Sequence, residues 1–325
     1  MTARVRVYAP ATLSNLGPGF DVLGLALEQP GDYVEAEWSD TPGVEIVQVR
    51  GDSGLLTTDP SRNVVGIAAT AVLLAFDARQ TAGRPAGVRL WLDKRMPLAS
   101  GLGSSAASSV GGALAVNELL GGVLDRDALI ACALEGERAV SGGAHADNVA
   151  PCVAGGIILI RSYTPMEILS LPVPASLRVA VVRPHVAVVT AEARRLVTER
   201  RFAIAQAVAN LGQLGALVTA LHRGDLELFG RAISDDLVEP IRAPLVPGFA
   251  DVKRAALENG ALGCSLSGSG PSVFAFAASD DHASSLAACM AARFRDVAGL
   301  DTDTYVGRVN RRGARRAEPA EPGRS

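Results

Sequence analysis

The chain has 325 residues and a mass of 33.5 kDa, above the size at which a single hydrophobic core usually stops growing, so two domains are expected rather than one. Its 48% hydrophobic and 20% charged residues and formal net charge of -3 are those of an ordinary globular protein, which excludes disorder throughout. The last fifteen residues, RRGARRAEPAEPGRS, carry five arginines against two glutamates, and without that +3 the body stands at about -6, which speaks against broad electrostatic capture of nucleic acid.

In chain order, the N-terminal MTARVRVYAP lacks an apolar signal core, and no uninterrupted apolar run approaches the roughly twenty residues that span a bilayer, so a cytoplasmic protein is expected. Arg4 to Ala9, Val44 to Val49 and Val88 to Leu92 read as strands by alternation or β-branched content. Asn63 to Phe76, Ser104 to Leu120 and Asp127 to Val140 read as helices with N-cap residues at their starts. Tyr163 to Pro174 carries Pro165, Pro172 and Pro174, which discourage helix and suit a crossover between domains. A second series follows: a strand at Val179 to Val182, helices across Ala191 to Leu221 and Asp225 to Leu237, and strands near Val273 to Phe276 and Thr304 to Val309. After Asn310 the tail has too little apolar content to fold, and no internal repeat is visible.

Cys132, Cys152, Cys264 and Cys289 stand singly in apolar stretches with no C-x-x-C pair, as buried thiols in a reducing compartment do. His145, His185, His222 and His282 have no metal-ligand spacing. Of the 31 basic residues only Lys94 and Lys253 are lysine, so any single arginine is weak evidence of function.

Three glycine-rich loops carry the chemistry. PLASGLGSSAAS, Pro97 to Ser108, ends a strand and starts a small-residue helix. Its glycines allow close backbone approach, its serines donate, and the helix N-terminus favours negative charge, an arrangement suited to phosphate. The alternative is a Gly/Ser turn capping a buried helix. No G-K-[ST] follows the glycines and the spacing is not G-x-G-x-x-G, which excludes the commonest nucleotide fingerprints, and the H-R-D, D-F-G, G-x-S-x-G and H-E-x-x-H elements are absent. PATLSNLGPGFDVLGLAL displays Asn15 and Asp21 around the turn at Gly17, Pro18 and Gly19, and CSLSGSGPSVFAF interrupts an apolar strand with Gly268 and Gly270, bringing backbone close to a ligand or to another loop.

Taken in this order, the three loops resemble the three signature motifs of the GHMP kinases, and the likeness spans most of the chain. Within that family SNLGPGFDVLGLAL, GGAHADNVAP at Gly142 to Pro151 and EPIRAPLVPGF at Glu239 to Phe249 are most similar to the homoserine kinase branch. The resemblance implies an α+β two-domain fold, with an N-terminal ribosomal-protein-like α/β domain over 1-165, a ferredoxin-like C-terminal domain over 175-310, a disordered tail over 311-325, and an active site between the domains. It implies magnesium-dependent transfer of a phosphoryl group from ATP to L-homoserine, on the route to threonine, and a possible homodimer, with neither nucleic acid nor membrane as partner.

By the same resemblance Pro97, Leu98, Ala99, Ser100, Gly101, Leu102, Gly103, Ser104, Ser105, Ala106 and Ala107 wrap the ATP phosphates, Asn63 lies near the adenine, and Ser105 and Glu137 hold magnesium, with Glu135 as rival to Glu137. Asp21 and Asn15 would lie at the amino-acid site, Asp21 pairing with the ammonium. Arg194 and Arg242 would clamp the carboxylate, with Arg195 competing for the first of these places. Asn148 matches the branch's pattern at the substrate; Asp147 is an alternative base, the base stays unassigned, and His145 fits a hydrogen-bonded core residue better than a catalytic one. The sequence departs from the family pattern at Leu13 and at VTAEARRLV, which lacks a proline. A mevalonate or shikimate kinase of the same family and a catalytically silent binding protein on the same fold are the competing readings.

Overall fold

The computed structural model describes residues 4–79, 83–141 and 145–318. In chain order the elements are β1 (Val5–Ser14), β2 (Leu23–Ser39), β3 (Gly43–Arg50), α1 (Val64–Asp77), β4 (Gly87–Asp93), α2 (Ser104–Leu119), α3 (Arg126–Ser141), α4 (Ala146–Ala154), β5 (Ile157–Tyr163), β6 (Met166–Leu171), β7 (Arg178–Pro184), α5 (Thr190–Thr198), α6 (Ile204–Arg223), α7 (Leu226–Arg231), α8 (Glu239–Arg242), α9 (Phe249–Glu258), β8 (Gly263–Leu266), β9 (Val273–Ala277), α10 (Asp280–Ala298), β10 (Thr302–Arg308) and β11 (Arg315–Arg316).

The first half builds a seven-stranded sheet in the order β11-β1-β2-β4-β3, with the hairpin β5-β6 attached through β2. The 17-residue β2 makes this possible, because its start pairs with β5 and its end with both β1 and β4. Helix α2 lies against β1 and β2 and packs on α1 and α3. Its sequence SSAASSVGGALAV is buried almost throughout, and the small side chains let neighbouring backbones approach: a Cβ on Gly112 would come within 2.5 Å of the Val65 carbonyl oxygen.

The second half is an antiparallel four-stranded sheet in the order β10-β7-β9-β8. A strand-helix-strand-strand-helix-strand chain in that order is the split βαβ arrangement of ferredoxin-like folds. β7, β8 and β9 are buried on both faces, whereas the edge strand β10 is half-buried to exposed, and the side chains of β7 and β9 alternate with the period of two expected of a strand. Val179, Val181, Phe274 and Phe276 join the core beneath the first sheet, while Ala180, Val182, Val273 and Ala275 face a smaller core under α9 and α10. The expected α+β fold with a ferredoxin-like second half is therefore present, and the larger core runs through both halves.

Several boundaries differ from those read in the sequence. The proline-bearing segment expected to be a crossover contains β6, which pairs with β5 and extends the first sheet beyond residue 165. The helix expected over Asp225 to Leu237 is only α7, capped by the Asp225 side chain on the Leu228 N–H and followed by turns. The tail expected to lack structure from residue 311 is seated through residue 318: Ala314 N–H donates to the Cys152 carbonyl at 2.6 Å, Ala317 N–H donates to Arg6 at 2.8 Å, and β11 pairs with β1. Backbone bonding holds this segment, so its polar composition gave no sign of it. Residues 319–325 lie outside the described residues. Cys132, Cys152 and Cys264 are buried, and Cys289 is half-buried. Helix α6 is long and apolar enough to cross a membrane by length and composition alone, although Asn210, Leu217, Ala220 and Leu221 are buried against the rest of the protein.

Close packing ties the first sheet to the helix that carries Asp147 and Asn148. A Cβ on Gly24 in β2 would lie 1.8 Å from the Asp147 carbonyl oxygen and 2.9 Å from the Pro151 ring. Gly24→Ala is expected to lower unfolding free energy by about 1–3 kcal/mol, in the range of overpacked cores, in urea denaturation; a midpoint equal to wild type would show that α4 is not held at this distance.

Candidate active site

The three glycine-rich loops meet. Ser267 donates from Oγ to the Gly101 carbonyl at 2.5 Å, Ser272 donates to the Ser100 carbonyl at 2.6 Å, and Gly268 N–H donates to the Ser14 carbonyl at 3.3 Å. A side chain on Gly101 would collide with the carbonyls of Gly270 and Ser267 at 2.6 and 2.7 Å, and Gly101 also has a φ of +75°, so only glycine serves there. The third loop therefore braces the second, and its Gly268 and Ser269 also line the adjoining cavity, so its backbone is placed for both of the roles expected of it.

Beside this junction is a cavity of about 620 Å³, in the range of small-molecule sites. One wall is the loop: Leu98, Ala99, Ser100, Gly101, Gly103, Ser104 and Ser105 line it. Pro97, Leu102, Ala106 and Ala107 do not. Leu102, Ala106 and Ala107 are fully buried in the core, so the expected wrapping segment narrows to 98–101 and 103–105. Gly103 enters α2 in the left-handed region, and a Cβ there would sit 2.0 Å from Thr12 Oγ1. Leu55, Leu56, Thr57, Arg62, Asn63 and Val64 form the outer wall. The Asn63 amide is engaged at both ends: its oxygen caps α1 at Val65 N–H (3.1 Å) and its nitrogen donates to the Thr57 carbonyl (2.7 Å). It shapes this wall rather than offering a side-chain contact.

The inner end is charged. Arg194 from α5 donates to both oxygens of Asp21 at 2.8 and 2.9 Å, so Asp21, expected to pair with an ammonium, is paired with a guanidinium of the protein itself. Asn15 braces the turn, accepting from Asp21 N–H at 3.2 Å and donating to the Gly268 carbonyl at 3.3 Å. Arg242 at the end of α8 is buried and donates to that same carbonyl at 2.8 Å. Arg194 and Arg242 both lie over the Phe20 ring, 5.5 and 5.1 Å from its centroid. Arg195 instead pairs with Glu199, both more than half exposed, which removes it as a competitor.

Asn148 accepts from Thr12 Oγ1 at 2.8 Å through its own oxygen, which leaves its NH₂ group as the free polar end. Asp147, only 2% exposed, lines the cavity, and its Oδ1 has no hydrogen-bond partner among the described residues. Burial, then the nearby Asp21 charge, raises its pKa to about 7. The remaining cavity-facing atoms of this kind are Arg194 Nε, Arg242 Nε and Ser104 Oγ, all buried without a partner among the described residues.

Glu137, 3% exposed, and His145 face each other across 3.6 Å on the cavity wall, with Ser105 on the same surface. The Glu137 carboxylate is the main reason the His145 pKa is raised. Glu135 is half exposed and paired with Arg138, away from this cavity. Gly142, Gly143 and Ala144, part of the GGAHADNVAP segment, lie outside the described residues. Lys94 was not singled out by sequence, yet it is buried at the cavity wall. Its one usable signal is its rarity, as one of two lysines in the chain, three residues before the loop.

Residues 64–156 match the model of the GHMP kinase N-terminal domain, and residues 217–296 match that of the GHMP kinase C-terminal domain. The chain is 42% identical over 316 residues to the homoserine kinase of Chloroherpeton thalassium, covering 96% of this chain and 99% of that one. It is also 42% identical over 318 residues to the homoserine kinase of Arabidopsis thaliana, covering 96% and 84%. A crystal structure of homoserine kinase from Cytophaga hutchinsonii superposes with a TM-score of 0.91 at 45% identity, covering 98% of each chain.

Burial of Asp147 makes the fold itself pH-dependent. A folded-state pKa of about 7 against an ordinary 3.8 means that the fold favours the protonated side chain, so this residue's stabilisation is complete below about pH 4 and lost as pH rises through 7. Asp147→Asn is expected to raise the urea midpoint at pH 8 far more than at pH 4; equal shifts at the two values would show that the carboxyl titrates normally.

Proposed function

This chain belongs to the GHMP kinases, and we propose that it is a homoserine kinase, transferring the γ-phosphoryl group of ATP to the side-chain hydroxyl of L-homoserine to give O-phospho-L-homoserine in threonine biosynthesis. One observation supports this reading most directly: the buried atoms without a partner at the inner end of the cavity have opposite signs. Asp147 Oδ1 lacks a cation, and the Nε groups of Arg194 and Arg242 lack acceptors. A zwitterionic amino acid supplies both, its ammonium to Asp147 and its carboxylate to the two guanidinium groups, and satisfying such groups is what favours one ligand over an analogue that lacks the charge.

In this reading Asp21 orients Arg194 rather than holding the ammonium, and Asn148 donates its NH₂ to the acceptor hydroxyl. A donor of that kind does not accept a proton, so positioning and charge neutralisation, which can carry most of phosphoryl transfer, replace a strong base. The phosphates would lie over 98–101 and 103–105, where Ser104 Oγ and the α2 N-terminus meet them. Leu55, Leu56 and Val64, on the wall shaped by Asn63, would pack against the adenine.

The donor set fits magnesium: a carboxylate at Glu137 and a hydroxyl at Ser105, both hard oxygens on the cavity wall shared with the anion-binding loop. The ion, when bound, would neutralise charge on the β- and γ-phosphate oxygens. His145, with Nδ1 3.6 Å from the Glu137 carboxylate, would orient it.

With magnesium-ATP and L-homoserine, mevalonate, shikimate or galactose at equal concentration, ADP release is expected with L-homoserine alone. Turnover on another acceptor would keep the kinase and discard the zwitterion site, and silence on all four with ATP still bound would indicate a binding protein without activity. Glu137→Gln is expected to lower kcat by about a hundredfold or more, as loss of a metal-neutralising carboxylate should, with an unchanged circular dichroism spectrum. Near-normal kcat at saturating magnesium would remove Glu137 from the metal site.

A further inference from the structure

The loop of residues 97–103 leaves β4 and enters α2, and both of its ends are held by one carboxylate that never reaches the cavity. Asp32 lies in β2, is fully buried, and does not line the cavity. Its Oδ1 accepts from the N–H groups of Arg95 and Met96, both at 3.0 Å, which fixes the strand exit just before the loop. Its Oδ2 accepts from Ser108 Oγ at 2.9 Å, within the first turns of α2 just after the loop. The same oxygen is paired with Lys94 Nζ, which in turn donates to the Ser104 carbonyl at 2.7 Å and to Ser108 Oγ at 2.9 Å. Asp32 thus receives four donors, and Lys94 uses all three of its own.

We infer that Asp32 is a positioning residue for the phosphate loop, acting as a clasp that sets the span between the β4 exit and the first turn of α2 and so fixes where the loop's N–H groups point. The inference rests on reading 98–105 as the ATP phosphate loop. A buried ion pair is weak evidence for stability, because desolvation offsets most of its attraction. What the clasp does supply is geometry: ends tied at 3.0 Å on one side and 2.9 Å on the other leave the intervening glycines little freedom to misplace their N–H groups. It also places the Lys94 charge beneath the loop without exposing it, with 1% of its side chain accessible. Lys94 itself faces the cavity wall, whereas Asp32 does not, so a change in ATP binding on altering Asp32 has to pass through the groups it holds, the loop ends and Lys94.

The test is steady-state kinetics with thermal denaturation on the full chain, comparing wild type, Asp32→Asn and the double variant Asp32→Asn with Lys94→Met. Burial lowers the Lys94 pKa and Asp32 is what favours its charged form, so Asp32→Asn leaves a buried amine without its carboxylate partner, while the double variant removes both groups. The expected result is a KM for ATP raised at least tenfold in both variants, a KM for L-homoserine within about twofold of wild type, and a Tm for the double variant above that of the single. A KM for ATP within twofold of wild type in whichever variant folds would overturn the inference, leaving Asp32 a core ion pair only; so would an equal rise in both KM values. If wild type itself fails to turn over ATP with L-homoserine, the reading of the loop fails first, and that failure is visible before any variant is compared.

Discussion

A charge taken out of water has to be matched by the groups around it, and the two halves of this cavity meet that constraint in opposite ways. Beneath the glycine-rich loop Asp32 and Lys94 are saturated by the protein's own donors and acceptors. At the inner end Asp147 and the Nε groups of two arginines are not. Unmatched buried groups of this kind cost free energy in the empty protein, and a core of ordinary size has to offset that cost. The saturated set fixes a shape, and the unsaturated set is the one that the proposed zwitterionic substrate would complete.

The fold explains why these sets lie side by side. The long β2 carries Asp32 near its middle and Gly24 near its start, so one strand holds the glycine-rich loop after β4 at one point and the Asp147 helix at another. The second half contributes Arg194, Arg242 and the Gly268 loop, and its β7 and β9 place Val179, Val181, Phe274 and Phe276 in the core of the first half. The larger core is shared by the two sheets, and only the smaller one under α9 and α10 belongs to the second half alone, which suits a reaction that depends on positioning.

Legibility in the sequence followed the kind of constraint involved. The glycine-rich loops were readable because backbone proximity and left-handed φ demand glycine locally, and that demand shows at fixed positions such as Gly101 and Gly103. Helices α1, α2 and α3 were readable as helices, and Asn63 caps α1 as expected, but the caps expected at Ser104 and Asp127 are not the ones observed: Gly103 precedes α2 without a side-chain bond, and Asp125 accepts from Ala128 N–H at the start of α3. Pairings across long separations left no local mark. Asp32 and Lys94 are 62 residues apart, and Asp21 and Arg194 are 173 apart. The second of these pairs engages Asp21, the carboxylate that the sequence reading had set beside an ammonium, while Asp147 is left without a partner at Oδ1 among the described residues, a difference that composition and spacing could not show. The seated tail at 311–318 was invisible for a similar reason, since main-chain hydrogen bonds hold it.

The central claim is that the inner end of the cavity is built for a zwitterion. Initial rates with L-homoserine, 4-hydroxybutanoate, which lacks the ammonium, and 3-aminopropan-1-ol, which lacks the carboxylate, test it most directly. The account predicts kcat/KM at least about a hundredfold lower for each truncated acceptor, since each leaves a buried charge unmatched. Values within tenfold of L-homoserine for either compound would contradict it.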